Sequence, residues 1–292
     1  MKICRFDDNH LGVVRGDLVH DVSRVLERLP PLRWPVPLGD LLISHLEALA
    51  PEIADLAERR DCRRIPLNEV HLLSPVANPT KIMGAGANFE EHRVEVAHDE
   101  GIHLGRVDAQ GAVPSIREAG LFSKMVSSLV GPSEGVQQRF VDRRNDFETE
   151  LAVVIGKRCT KVSREAARNC IAGYAIGLDM SLRGMESPSV RKSLDSYSVL
   201  GPWLVTPDEI ADPGNLDIKM FHNGLLRQNS NSRYMLFDVY TLVELASKFF
   251  TLYPGDIIMT GTPSGVAPVK PGDLLEAEIG CIGRMQVRVI EG

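Results

Sequence analysis

NDFETELAVVIGK, residues 145–157, places Glu148 and Glu150 at the head of a strongly apolar run. The run reads as a strand. Successive strand side chains point to opposite faces, so residues two apart share one face. Two like charges side by side repel, and burial raises the cost. Three arrangements resolve the conflict: the face is solvated, one acid stays protonated, or a cation sits between them.

Outward from this stretch, a third acid, Asp179, closes another apolar strand, AIGLDMS. Three carboxylates on adjacent strand ends make an oxygen-rich site of the kind that suits a hard cation, Mg²⁺, Mn²⁺ or Ca²⁺. Mg²⁺ keeps several waters, which leaves positions for a substrate. The bland alternative is a solvated strand face and an unrelated surface aspartate.

The chain has 292 residues, 43% hydrophobic and 25% charged, which is enough to bury a sizeable core. Asp and Glu number 39 against 33 Lys and Arg, and no basic run or basic, aromatic-studded face suggests nucleic acid. The opening MKICRFDDNH lacks an apolar signal core, and no apolar stretch approaches ~18 residues. The expected location is cytoplasmic. The five cysteines include no C-x-x-C spacing, which argues against a disulfide framework or a cysteine zinc site.

Along the chain, KICRF, LGVVRG and DLVHDV read as short strands. PLGDLLISHLEALAPEIADLAERR spaces Leu41, Leu42, His45, Leu46 and Leu49 at helical intervals, with Pro51 expected to divide it into two helices. RRIPLNEVHLLSPVANPTK reads as an extended linker, which sets a domain boundary near residue 76. KIMGAGANF reads as a buried strand and turn, EEHRVEVAHDEG as a short polar helix, and residues 101–120 as a mobile loop. Ser163 is the expected N-cap of REAARNCIA, with Gly173 its stop. FDVYTLVELASKFF reads as a helix capped by Asp238, and the chain ends in a hairpin-like pair, LLEAEIG and RMQVRVIEG.

Other residues carry weaker chemistry. His92 and Glu95 are neighbours on a helix, and a histidine oriented by a carboxylate can act as a general base on water; such pairs are also common surface decoration. TGTPSG, residues 260–265, joins a strand to a loop whose N–H groups and hydroxyls could bind a carboxylate or carbonyl, or be a plain turn. It is not a phosphate loop, because G-x-x-x-x-G-K-[ST] is absent, and GAGANF is not a dinucleotide fingerprint. Arg183 and Lys192 follow Asp179 and could hold a substrate carboxylate or developing charge, or simply lie at the surface. No G-x-S-x-G supports a serine triad.

In order along the chain come GANFEEHRVE, DFETELAVVIGK, GLDMSLRG, RKSLDSYSVLGPWLVTPDEI, NGLLRQ and YPGDIIMTGTPSGVAPVKPGD. This series resembles the fumarylacetoacetate hydrolase family over roughly residues 79–290. The resemblance implies an α+β, β-rich fold, a mixed β-sandwich roll over residues 76–292, with a small N-terminal α/β domain over residues 1–75. It implies that Glu148, Glu150 and Asp179 hold a divalent metal, commonly Mg²⁺, so that a cation answers the crowding of the acids. His92 and Glu95 match a base dyad, Lys192 an active-site lysine, and Arg183 a nearby arginine. Thr262 matches a substrate-carboxylate contact, and Gln228 is a candidate for the same pocket. A homodimer is implied as well. Glu186 stands where some members have glutamine; a carboxylate only accepts hydrogen bonds, so it would suit a substrate hydroxyl or ammonium. The stretch from Glu95 to Lys124 is longer than in compact members.

The activity implied is metal-dependent hydrolysis of a C–C bond in an acylpyruvate-like or diketo acid through an enolate. His92 would activate water, Lys192 and the metal would hold the enolate charge, and closure of residues near 90–120 would exclude bulk water. The alternative on the same site is a decarboxylase, isomerase or hydratase of a 2-oxo acid. A non-catalytic oxo-acid-binding protein is disfavoured, since binding alone needs no base dyad.

Overall fold

The computed structural model describes residues 1–103 and 115–292. Three hairpin-linked strands open the chain: β1 (Lys2–Phe6), β2 (His10–Arg15) and β3 (Leu18–Asp21). Helix α1 (Leu41–Glu58) and strand β4 (Arg64–Pro66) follow. Next come β5 (Ile82–Gly84), α2 (Glu90–His98) and β6 (Phe122–Lys124). The central segments are β7 (Asn145–Phe147), β8 (Thr149–Ile155), β9 (Ile171–Asp179), the one-turn helix α3 (Pro188–Arg191) and β10 (Ser198–Val205). The last third supplies β11 (Asp217–His222), β12 (Leu225–Asn231), α4 (Val239–Phe249), β13 (Ile257–Met259), β14 (Leu274–Ile279) and β15 (Gly283–Glu291).

The large mixed sheet runs β4-β3-β2-β1-β10-β9-β8-β13-β5-β6, with two short strands joining off this path. A five-stranded sheet containing β12-β11-β14-β15, and a three-stranded one centred on β7, complete the β-rich α+β roll. Every residue of β8 is buried. Its alternate side chains enter two different cores: Leu151, Val153 and Ile155 pack with Ile218, Met220, Leu242 and Leu275, whereas Ala152 and Val154 pack with Ile3, Leu11, Ile43 and Ile53. That is why ELAVVI reads as continuous apolar sequence rather than as alternation. The first strands are hydrogen-bonded directly onto this sheet, since β1 pairs antiparallel with β10 (Lys2 opposite Val205).

Four local expectations are corrected. Pro51 does not divide the 41–58 segment, because α1 continues through it. Proline removes one backbone donor from the ladder, but Ile43 and Leu46 before it and Ile53 and Ala57 after it pack into one core, which holds both halves in line. The 63–81 stretch is not a plain linker: β4 pairs with β3, and Leu72–Leu73 pairs with β1. Pro66 lies on β4, at the outer edge of the sheet, where a missing N–H is tolerated. Gly173 stops no helix. The helix capped by Ser163 spans only Arg164–Ala167, followed by a 3₁₀ turn, and Gly173 already lies in β9. A Cβ there would fall 2.4 Å from the Val205 carbonyl oxygen, so glycine permits the close approach of β9 and β10. The loop expected over 101–120 includes short helices at Glu100–His103 and Ile116–Ala119; residues 104–114 lie outside the described residues. Asp238 caps α4 as expected, accepting from the Thr241 N–H at 2.8 Å.

Candidate active site

Asp146, Glu148 and Glu150 are two apart along the β7–β8 segment, and all three are buried. Asp179, at the end of β9, is buried beside them. Carboxylate oxygens of Glu148, Glu150 and Asp179 lie within 4.8 Å of one another, an arrangement that could hold a metal ion. The cations around them are buried too. Lys192, just after α3, donates to Glu148 and to Asp179 at 2.7 Å each, and to Ser181 Oγ at 2.6 Å. Arg183 bridges Asp146 at 2.8 Å and Glu148 at 2.9 Å. Lys124, at the end of β6, donates to Asp179 and, at 2.7 Å, to the Tyr197 carbonyl oxygen.

These neighbours separate the two glutamates electrostatically. Burial pushes the Glu148 carboxyl up, but Lys192 and Arg183 outweigh it and hold the group well below the usual carboxylate range. Burial also pushes Glu150 up, and there Asp179 and Glu148 add to the shift, so its carboxyl titrates well above an ordinary glutamate. Burial lowers Lys124, against the pull of Asp179; for Lys192 burial acts the same way, but Asp179 and Glu148 win and raise it. A proton on Glu150 relieves the crowding when no cation is bound. A divalent ion relieves it more fully, and three hard oxygen donors fit one.

Helix α2 brings the His92–Glu95 pair. Its entry is fixed by Asn88, which is fully buried and bonds Phe237 through both its amide nitrogen and its oxygen, and the Thr260 carbonyl through its nitrogen at 2.7 Å. His92 Nδ1 lies 2.8 Å from Glu95 Oε2. With the proton assigned to Nδ1 by this contact, Nε2 is the basic nitrogen. The other Glu95 oxygen accepts from the Gly265 N–H at 2.9 Å.

The 260–265 loop therefore binds carboxylates, and the structure shows them to be the protein's own. Gly261 N–H donates to Glu150 Oε2 at 2.6 Å, and Gly265 N–H to Glu95. Both glycines have positive φ, +97° and +99°, and a Cβ on Gly265 would fall 2.0 Å from the Arg227 carbonyl oxygen. Glycine is required at that position by conformation and by space.

His92, Glu148, Arg183 and Lys192 line one cavity of about 260 Å³, together with Phe122 and Arg191. Thr262 and Gln228 do not line it. Thr262 Oγ1 donates to the Thr149 carbonyl at 2.9 Å and accepts from Gln228 Nε2 at 2.8 Å. Gln228 also bonds the Thr149 N–H and the Pro263 carbonyl. In this structure both are struts that tie the loop to β8, with their polar atoms already partnered. Glu186 is held by Arg143 at 2.8 Å through both oxygens, also away from the cavity wall. Sequence reasoning missed Asp146, although the two-residue spacing of Glu148 and Glu150 extends back to it. It also missed Lys124 and Arg191, whose burial no local pattern reveals.

A β-rich roll with a buried triad of acids beside a histidine–glutamate pair defines the class, and the chain belongs to the fumarylacetoacetate hydrolase family. The family profile described as "Fumarylacetoacetate (FAA) hydrolase C-terminal" matches residues 81–290. Maleylpyruvate hydrolase of Aquipseudomonas alcaligenes is 50% identical over 289 residues, 99% of each chain. The 2,4-didehydro-3-deoxy-L-rhamnonate hydrolase of Sphingomonas sp. (strain SKA58) is 33% identical, covering 100% of this chain and 96% of its own. The crystal structure of maleylpyruvate hydrolase from Sphingobium sp. SYK-6, in complex with manganese (II) ion and pyruvate, matches over 100% of both chains at 36% identity, with a TM-score of 0.83. This chain is a metal-dependent C–C hydrolase that uses a divalent ion. Among the described residues no helix is long and apolar enough to cross a membrane.

Proposed function

We propose that this enzyme hydrolyses an acylpyruvate of the maleylpyruvate type to pyruvate and a carboxylic acid. The observation that carries the reading is that His92, bonded to Glu95, and Glu148, one of the three clustered carboxylates, line the same 260 Å³ cavity. A divalent ion, Mg²⁺ or Mn²⁺, held by Glu148, Glu150 and Asp179 would polarise the keto and carboxylate oxygens of the pyruvyl end. Glu95 orients His92, and His92 takes a proton from water as that water adds to the distal carbonyl carbon. The C–C bond then breaks, its electron pair moving onto the pyruvyl fragment as an enolate. Lys192 lies beside this developing charge, and His92 returns the proton to the enolate carbon. Arg183 holds Glu148 in place.

The reading carries a cytoplasmic homodimer with it. Met125, Met185 and Val190, each close in sequence to a site cation, are exposed and offer apolar surface for a second copy to cover. The test is product analysis by mass spectrometry with Mn²⁺ or Mg²⁺, with an EDTA control, in water enriched in heavy oxygen. Pyruvate plus a labelled acid, lost with EDTA, is expected. Carbon dioxide or an isomer without a labelled acid would move the protein to the decarboxylase or isomerase branch.

A further inference from the structure

Arg191, the last residue of α3, is 3% exposed and lines the cavity. Its Nε and Nη1 are buried with no hydrogen-bond partner among the described residues. The other cations on that wall are already bonded to acids: Arg183 to Asp146 and Glu148, Lys192 to Glu148 and Asp179. Burying two guanidinium nitrogens without an acceptor is costly, and the usual remedy of changing protonation state is closed to arginine. Its fork matches a carboxylate, bidentate and planar. Much of the remaining wall is apolar, with Phe122, Val96 and Ile102 contributing. The cavity wall thus carries partnered charges and one cation without an anion among the described residues.

We propose that Arg191 is the anchor for a second carboxylate, carried on the acyl part of the substrate. The substrate class is then a dicarboxylic acylpyruvate rather than one with a neutral acyl group. The proposal rests on the hydrolase reading above and assigns specificity within it. The adjacent residues Arg191 and Lys192 divide the work: Lys192 serves the carboxylate cluster, and Arg191 serves the distal end of the ligand.

The test compares wild type, Arg191→Met and Arg191→Lys, each with saturating Mn²⁺, on maleylpyruvate and on acetylpyruvate, which lacks the second carboxylate. A lost charge-assisted, bidentate contact should lower kcat/KM for maleylpyruvate roughly 30–100-fold more than for acetylpyruvate, chiefly through KM, with the lysine variant in between. A second readout needs no turnover. Maleate should raise the melting temperature of wild type and fail to raise that of Arg191→Met, while oxalate shifts both. Equal losses on the two substrates, or an undiminished maleate shift in the variant, would overturn the assignment. If wild type turned over neither substrate, the hydrolase reading would fail, and the maleate shift would still judge Arg191.

Discussion

Glu150→Gln tests the electrostatics of the site most directly. The amide matches the protonated acid in shape, and its oxygen can still accept from Gly261, so the metal-free fold should survive. In metal-free wild type, Glu150 is raised above its ordinary value of 4.5 by burial and by Asp179 and Glu148. Between those two values the native protein holds a proton that the unfolded chain has released. Stability therefore falls as pH rises through that window, by about 1.4 kcal/mol per pH unit. Glu148, held low, contributes a constant term above 4.5 and does not mask the slope. The variant removes the slope, so from pH 5 upward metal-free Glu150→Gln should become increasingly more stable than metal-free wild type. Metal acts in the opposite direction. At a hundredfold excess over its dissociation constant, Mn²⁺ should stabilise wild type by about 2.7 kcal/mol, or roughly 5 °C for a chain of this size. The variant should gain little of this. Thermal unfolding by circular dichroism from pH 5 to 7, with EDTA or Mn²⁺, reads both effects. An equal Mn²⁺ shift in the two proteins would falsify the role of Glu150 as a ligand, and parallel pH dependences without metal would remove the proton assigned to it.

His92→Gln should keep the Mn²⁺ shift in melting temperature yet lose hydrolysis by ~10²–10⁴-fold, measured under single turnover; loss of both together would make His92 structural. Gly265→Ala puts a methyl group against the Arg227 carbonyl at positive φ, and should cost about 1–3 kcal/mol in urea unfolding while lowering kcat through Glu95. Unchanged stability would mean that the loop relaxes freely. Among the cysteines, burial pushes the Cys4 thiol up to about 12, so at pH 8 it stays protonated and inert to a disulfide reagent, whereas exposed Cys281 reacts first. Removal of the fast phase by Cys281→Ser checks this, and rapid labelling of Cys4 in the native protein would contradict it.

Much of the site was legible because strand alternation is strict. Glu148 and Glu150 sharing a face, Asp179 closing a neighbouring strand, and His92 and Glu95 one helical turn apart are consequences of local geometry, and the structure brings all five together. The caps at Ser163 and Asp238 were legible for the same reason. What escaped depends on contacts between distant segments. Lys124 lies 55 residues from Asp179 in the chain, and nothing nearby marks its ammonium as buried. Gln228 and Thr262 bond each other and backbone groups of β8 and the 260–265 loop, contacts that leave no trace in residue type. Pro51 misled because a helix propensity penalty was read without the core contacts on either side of it.

The pairing of β1 with β10 also bears on how the protein is made. Lys2 and Ile3 lie opposite Val205 and Leu204, so this end of the strand's outer edge waits for about 200 further residues, long after β2 and Leu72–Leu73 have paired with the rest of β1. At roughly 5–20 residues per second, the nascent chain carries an unpaired edge of β1 for on the order of 10–40 s. During that interval the backbone donors and acceptors of Lys2 and Ile3 on that edge stay free, the kind of surface that recruits other chains. Slower synthesis or overproduction should then favour aggregation through the N-terminal strand, and a ribosome-bound chaperone that shields the first twenty residues should raise the soluble yield.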